Sequence, residues 1–290
     1  MQGIIIIDKP KGYTSHDIVN LVRKELNIKK VGHTGTLDPN ATGVLPILVG
    51  EATKISKYLV EHNKTYIATI SLGRKTTTGD EEGEILEEKT IPILNENAVK
   101  TILSNFQGEQ MQKPPIYSAI KINGKKAYEY AREGQEVKIE PRKIEIKLIK
   151  LINYINNEIT FKVECSKGTY IRVLCENIAE KIGTVGYMKN LRRTKVDEYE
   201  IEKSITIEEL KENKTKVEEN LISIEEAFIL KPKIELQPKG LELFLNGVQL
   251  TYKLPDEIYR IYSKGTFIGL GIIKNELLKR DVVINENLLK

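Results

Sequence analysis

The chain is poor in the residues that build metal and redox centres. Its 290 residues include two cysteines, Cys165 and Cys175, and three histidines, His16, His33 and His62. No CxxC pair and no HxxxH spacing occurs, so neither a disulfide framework nor a zinc site is expected. Two isolated thiols predict a reducing, cytoplasmic setting. Long apolar runs are missing as well. The run in "MQGIIIIDKP" is too short for a signal peptide, and nothing approaches the roughly 18 residues of a membrane span. No GxxxxGK[ST] loop and no strand-linked dinucleotide fingerprint is present, which leaves NTPase and dehydrogenase readings unsupported. Charge is nearly balanced, with a formal net of +4. A nucleic-acid partner must therefore be argued from where the cations sit.

What is present suits a water-soluble globular protein with a sizeable core. Hydrophobic residues make up 40% of the chain, and the length fits one large domain or one large and one small. Gly3 to Ile7 reads as a buried strand. "TSHDIVNLVRKELN" reads as a helix capped by Thr14 or Ser15 with Asp17, and carries Ile18, Leu21, Val22 and Leu26 on one face. A strand is expected near Val44 to Val49, then a helix from about Glu51 to His62. "KTYIATISLG" is a strand with Tyr66, Ala68, Ile70 and Leu72 on one face. Residues 80 to 90 hold six acids and one lysine and read as a solvated loop. Asn95 caps a helix through Val99, Ile102, Leu103 and Phe106 that Gly108 should stop.

Further along, Asn123-Gly124 signals a tight turn. A short helix is expected at Ala127 to Arg132, ending at Gly134. Strands follow at Ile144 to Ile155 and Glu158 to Glu164, joined by Asn156-Asn157. "GTYIRVLCENIAEKIG" reads as a helix ended by Gly183, and Thr206 caps another. The composition shifts near Lys231 to Lys239. The runs "LELFLNGVQL" and "EIYRIYSKGTFIGLGII" then predict a small β-rich module.

The candidate chemistry centres on "VGHTGTLDPNATGVLPILVG", residues 31 to 50. "DPNATG" starts like a calcium loop, but its twelfth position is Val49, not glutamate, and calcium is rejected. Asp38 before a proline is ordinarily a turn former, its carboxylate bonding nearby backbone N–H groups. The other reading is a lone carboxylate held at a loop tip. Without a second acid it does not suit glycoside hydrolysis, and it fits a transfer in which nothing is hydrolysed. Residues 111 to 150 carry ten Lys/Arg against five Glu, with Tyr117, Tyr128 and Tyr130 interleaved. "YMKNLRRTKV", 187 to 196, carries four cations and no acid. Either segment alone reads equally as a solvated face; together they point to RNA. Tyr66 reads as a core aromatic or a substrate contact. Arg172, in the first turn of a helix, opposes the helix dipole, so it is either a surface residue or aimed at a carboxylate.

In order, "IIDKPKGYTSHD", "GHTGTLDPNATGVLPILVGEATK", "KTYIATISLGRKTTTGD" and "SKGTYIRVLCENIAEKIG" followed by "YMKNLRR" resemble the bacterial tRNA pseudouridine(55) synthases, the TruB family. The resemblance covers nearly the whole chain. It implies a pseudouridine synthase fold, α+β, with a mixed, largely antiparallel sheet and flanking helices, and a small C-terminal β-rich PUA-like module. The implied domains are 1–232, catalytic, with an RNA-gripping insertion near 112–134, and 233–290, RNA-binding. The implied reaction converts a T-loop uridine of tRNA to pseudouridine on a flipped-out base, with no cofactor and no metal. By resemblance Asp38 is the catalytic aspartate, attacking the sugar or the base ring. Tyr66 stacks on the base and handles the C5 proton, and Arg172 pairs with the aspartate. Tyr170 and Leu191 line the base pocket, and His33 lies near the space the flipped nucleotide vacates. Lys9 and Pro10 support the catalytic loop. The expected partner is the tRNA T arm, bound by a monomer that needs no protein partner and no membrane. Two other readings are a tRNA-binding folding factor in which catalysis is secondary, and a guide-RNA-dependent synthase; the insertion argues against the latter.

Overall fold

The computed structural model describes residues 1–59 and 62–284. Strand β1 (Gly3–Lys9) is the isoleucine run, buried on both faces. Helix α1 (Ser15–Leu26) begins at a reciprocal capping box between Thr14 and Asp17 and ends at Asn27 in the left-handed conformation. It buries Ile18, Val19 and Val22, whereas Leu21 and Leu26 are only partly covered. Strands β2 (Val31–His33) and β3 (Thr42–Val49) bracket the Gly-rich loop. The helix expected from 51 to 62 is largely a 3₁₀ turn, Gly50–Ile55, followed by one short α-turn, α2 (Ser56–Leu59). Ala52 and Ile55 are both buried, and their spacing of three matches the tighter helix. Val60 and Glu61 of that expected helix lie outside the described residues.

Strand β4 (Lys64–Leu72) buries Tyr66, Ala68, Ile70 and Leu72 as its alternation requires. The acidic stretch is not merely a loop: β5 (Arg74–Thr76) pairs with β6 (Ile85–Glu88) in an exposed ribbon. Helix α3 (Glu96–Ser104) is capped by Asn95, but it stops at Asn105. Gly108, at φ +107°, instead opens β7 (Gly108–Gln112). Asn123 and Gly124, at φ +50° and +84°, form the two-residue turn between β8 (Lys121–Ile122) and β9 (Lys125–Lys126), just before α4 (Ala127–Arg132). Strands β10 (Arg142–Ile155) and β11 (Glu158–Cys165) turn at Asn156-Asn157. Helix α5 (Ile171–Ile182) ends at Gly183, and β12 (Gly186–Val196) follows.

These strands build one mixed sheet in the order β1-β3-β12-β4-β11-β10-β7, with β2 on β3. The β12–β3 pair is parallel and its other pairs are antiparallel. Helices α3 and α5 pack over β4, β11 and β10 to make the largest core. The basic run 187–196 was expected on an RNA-facing surface. It is instead a central strand: Arg193 is fully buried, and Arg192 forks onto Asp8 at 2.8 and 3.1 Å.

After β13 (Tyr199–Glu200) come α6 (Ile207–Glu212, capped by Thr206), α7 (Lys214–Glu219) and α8 (Ile224–Ala227). A second sheet, in the order β14-β16-β17-β18-β15, is built from β14 (Lys233–Glu235), β15 (Leu250–Thr251), β16 (Ile258–Ser263), β17 (Thr266–Lys274) and β18 (Leu277–Val283). "LELFL" is not a strand but part of α9 (Pro238–Leu245). Pro238 at the first helical turn and Phe244 buried against the sheet select the helix. Leu270 and Val282 of this sheet share a core with Ile4, Ile6, Leu48 and Ala52. Asp281 receives Lys57 and the Tyr58 hydroxyl at the same junction. The chain is thus α+β, a mixed and largely antiparallel sheet with flanking helices and a small β-rich C-terminal module.

Candidate active site

The loop between β2 and β3 is fastened from three sides. Ser15 Oγ accepts from Leu37 N at 2.9 Å and donates to Leu37 O at 3.2 Å. The buried Lys9 Nζ donates to Pro10 O, Tyr13 O and Pro39 O at 3.0, 2.7 and 3.0 Å. Arg193 donates from Nε to Val44 O at 2.7 Å and from Nη2 to Gly35 O at 3.0 Å, one at each end of the loop. Gly43 makes this closeness possible: at φ +103°, a Cβ there would stand 2.1 Å from Arg193 O. The backbone turns as Asp-Pro predicts, with Ala41 N donating to Asp38 O at 3.1 Å.

The Asp38 carboxylate, however, is not spent on the turn. Arg172 meets it with a fork, Nε to Oδ2 at 3.1 Å and Nη2 to Oδ1 at 3.4 Å. Arg172 also donates to Thr78 O at 3.1 Å and Tyr117 O at 2.9 Å, and it faces Asp80 at 3.8 Å. Two carboxylates and two carbonyls thus offset the unfavourable position of a cation in the first turn of α5. Gln112 fixes where that helix starts, accepting from Tyr170 N at 2.8 Å and donating to Tyr170 O at 3.1 Å.

A cavity of about 680 Å³ opens above these groups, and Asp38, Tyr66, Tyr170, Arg172, Leu191 and Arg193 are among its lining. The Asp38 side chain remains 39% exposed on its floor. Surrounding protein pushes its carboxyl pKa up; Asp80 adds to this, while Arg172 and Lys9 oppose it. Burial outweighs pairing, so Arg172 restrains the rise without reversing it. Burial pushes the Tyr66 phenol up to about 12 and lowers the Lys9 ammonium to about 8. A second hollow of about 490 Å³, lined by Thr65, Ile67, Lys162 and Glu164 on the opposite face of β4 and β11, holds no such constellation.

Five of the six expected site residues therefore converge: Asp38, Tyr66, Tyr170, Arg172 and Leu191. His33 does not line the cavity. It sits half-buried on β2, its Nδ1 enclosed and without a hydrogen-bond partner, and burial lowers its pKa with Arg193 and His16 contributing. Lys9 does brace the loop, through Pro39 O, while Pro10 contributes a carbonyl to Lys9 and no contact of its own to the loop. Sequence reasoning missed Asp80, hidden among acids read as solvated, although it closes "TTTGD" directly after a recognisable strand. It also missed Arg193, whose signal was strand alternation within a run read only for its charge.

Comparison with known proteins identifies the family. Residues 23–171 match the family profile described as TruB family pseudouridylate synthase (N terminal domain). Residues 172–230 match that of the tRNA pseudouridylate synthase B C-terminal domain. The protein named tRNA pseudouridine synthase B of Caldanaerobacter subterraneus subsp. tengcongensis is 43% identical, over 96% of this chain and 98% of its own. That of Alkaliphilus oremlandii is 44% identical over 95% and 94%. Among solved structures, an H/ACA RNP bound to a substrate RNA containing 2′-deoxyuridine superposes with a TM-score of 0.72 at 22% identity, covering 98% of this chain and 85% of that one. The archaeal box H/ACA sRNP Nop10-Cbf5 complex gives 0.72 at 22%, covering 99% and 88%. At such identities the two structures speak for the fold alone. With a profile spanning half of its residues and relatives above 40% identity along nearly its full length, the chain belongs to the TruB family of pseudouridylate synthases.

Proposed function

We infer that this chain isomerises a uridine in the T loop of tRNA, position 55, to pseudouridine, with Asp38 as the nucleophile. The observation that carries the reading is the Arg172–Asp38 fork on the floor of a cavity walled by Tyr66, Tyr170 and Leu191. A base inside a folded loop must be extruded before its glycosidic bond is reachable, at a cost of about a few kcal/mol. Tyr66 stacking on the extruded base offsets part of that, and Leu191 and Tyr170 close the slot around it. His33, behind the catalytic loop, is the residue we assign to the gap left in the RNA stack. Arg172 keeps Asp38 oriented and opposes its protonation in a pocket that burial would otherwise make acid-like.

Residues 1–232 form the catalytic domain in this reading, and 233–290 a PUA-like RNA-binding module, whose residues 285–290 lie outside the described ones. The segment 112–134 grips the RNA. Its Lys125 and Lys126 lie 4.7 and 5.4 Å from the rings of Tyr130 and Tyr128, the mix of cation and aromatic that phosphate and base contacts use. Having its own grip, the chain acts as a monomer on tRNA in the cytoplasm without a protein partner. The test is incubation with an unmodified tRNA transcript followed by mapping of pseudouridine at single-nucleotide resolution. Product confined to the T loop supports the assignment; no product, or product scattered over the molecule, refutes it.

A further inference from the structure

Arg193 is fully buried and yet borders the cavity. The loop uses two of its three guanidinium nitrogens, Nε on Val44 O and Nη2 on Gly35 O. The third, Nη1, is buried and makes no well-formed hydrogen bond, and the Tyr66 phenol is the side chain that interacts with this guanidinium. Leaving such a donor unsatisfied is unfavourable by about 1–3 kcal/mol, so a resting structure keeps one only where something compensates. Arg193 and Tyr66 are directly opposed across β12 and β4. Opposed residues project from the same face with Cβ atoms about 5 Å apart. Both side chains reach the same cavity.

We propose that Arg193 is a positioning residue for Tyr66: the Nη1 N–H that the loop leaves unused holds the phenol oxygen through proton transfer, and its buried charge balances the phenolate formed in passing. This rests on the proposed isomerisation with Tyr66 as the proton carrier. Whichever atom Asp38 attacks, the conversion removes the hydrogen on C5 and places one on N1. The two atoms are separated by a single ring atom, so one oxygen reaches both. Once the N1–C1′ bond has broken, Tyr66 gives its O–H proton to N1 and becomes a phenolate; once C5 has bonded to C1′ in its place, the C5 proton passes to the phenolate oxygen and restores the phenol. Protons and charge balance, and Arg193 stays protonated throughout. Burial makes the phenolate unfavourable, and Arg193 is the strongest influence opposing that effect. The phenol in turn raises the Arg193 pKa against burial. The same guanidinium that fixes both ends of the Asp38 loop thus couples nucleophile placement to proton handling.

The test is single-turnover kinetics on a tRNA transcript with Arg193→Gln, Tyr66→Phe, the double variant, and Arg193→Gln carrying 3,5-difluorotyrosine at position 66, whose phenol is intrinsically more acidic. Arg193→Gln should slow turnover by about 100-fold, the loss typical of one pre-placed donor, with tRNA affinity unchanged. On the Tyr66→Phe background the further loss should be clearly smaller, that of the loop hydrogen bonds alone. The fluorinated phenol should recover about tenfold, because it needs the guanidinium less. An equal loss on both backgrounds, or no recovery by the fluorinated tyrosine, overturns the proposal and leaves Arg193 a loop brace only. Wild-type turnover by Tyr66→Phe is a different failure, that of Tyr66 as proton carrier. Should Arg193→Gln not fold, fluorine NMR titration of a 3-fluorotyrosine at 66 in the wild type and in Arg193→Lys decides. Ionisation at lower pH with arginine supports the coupling, and identical midpoints overturn it.

Discussion

Replacing Arg172 by methionine keeps the aliphatic stem that packs at the start of α5 and removes the fork that holds Asp38. The charges stand 3.1 and 3.4 Å apart. At an effective dielectric of about 20, one such pair is worth about 5 kcal/mol. The Asp38 side chain is 39% exposed, and screening by that solvent leaves about 2–3 kcal/mol. At about 1.36 kcal/mol per decade, the single-turnover rate should fall about 30- to 150-fold. The pH profile should move with it. Burial and Asp80 already raise the Asp38 pKa, and Arg172 is the main influence holding it down. Without Arg172 it rises further, and only the ionised carboxylate attacks. The acid limb of the rate profile therefore shifts to higher pH, and raising the pH recovers part of the lost rate. Single-turnover pseudouridine formation measured across pH 5 to 9 reads both effects. A loss smaller than about threefold, or an acid limb that does not move, refutes the reasoning.

Three further outcomes follow from the same geometry. Gly43→Ala places a Cβ 2.1 Å from Arg193 O and separates β3 from β12; calorimetry should show a loss above about 3 kcal/mol, and a melting temperature near wild type would contradict the packing. Lys9 titrates near 8 in the folded chain, against about 10.4 unfolded. The unfolded chain holds the extra proton between those values, so the wild type gains stability relative to Lys9→Met as pH rises through that window; parallel melting curves count against it. The raised Asp38 pKa means that the folded chain binds the proton more tightly than the unfolded one. Stability contributed by this group therefore declines as pH rises from the unfolded value of about 3.9 through the folded one. Asp38→Asn should melt higher than wild type at pH 7, with the gap closing in acid; a lower melting temperature at pH 7 opposes this.

Much of the fold could be read from local chemistry, because the local signals agree with the tertiary structure. Thr14 with Asp17, Asn95, Thr206, Asn123-Gly124 and Gly183 each stand at the cap or turn their side chains favour. The failures have a common cause, since pattern alone does not report what lies across the sheet. The run 187–196 looked like a charged surface because arginines are rarely buried, yet Arg192 finds Asp8 and Arg193 finds loop carbonyls, both distant in sequence. Asp80 sat inside six acids whose density implied solvent, and only the fold brings it to Arg172. "LELFL" carries apolar residues compatible with either period, and Pro238 was the discriminating signal. Within the site, Asp38 and Arg172 were legible as a pair only through the family resemblance, being 134 residues apart. His33 was legible as a residue of interest, but its position behind the loop was not.

The central claim is that the carboxylate of Asp38 performs the covalent step, and the direct measurement compares wild type with Asp38→Asn on the same tRNA transcript. Substrate binding is followed by filter retention, and pseudouridine is quantified after long incubation with enzyme in excess. The account predicts tRNA binding close to wild type and no pseudouridine from the variant, since asparagine preserves the shape and much of the contact to Arg172 but is no nucleophile. Pseudouridine formed by Asp38→Asn at a rate near wild type would contradict it.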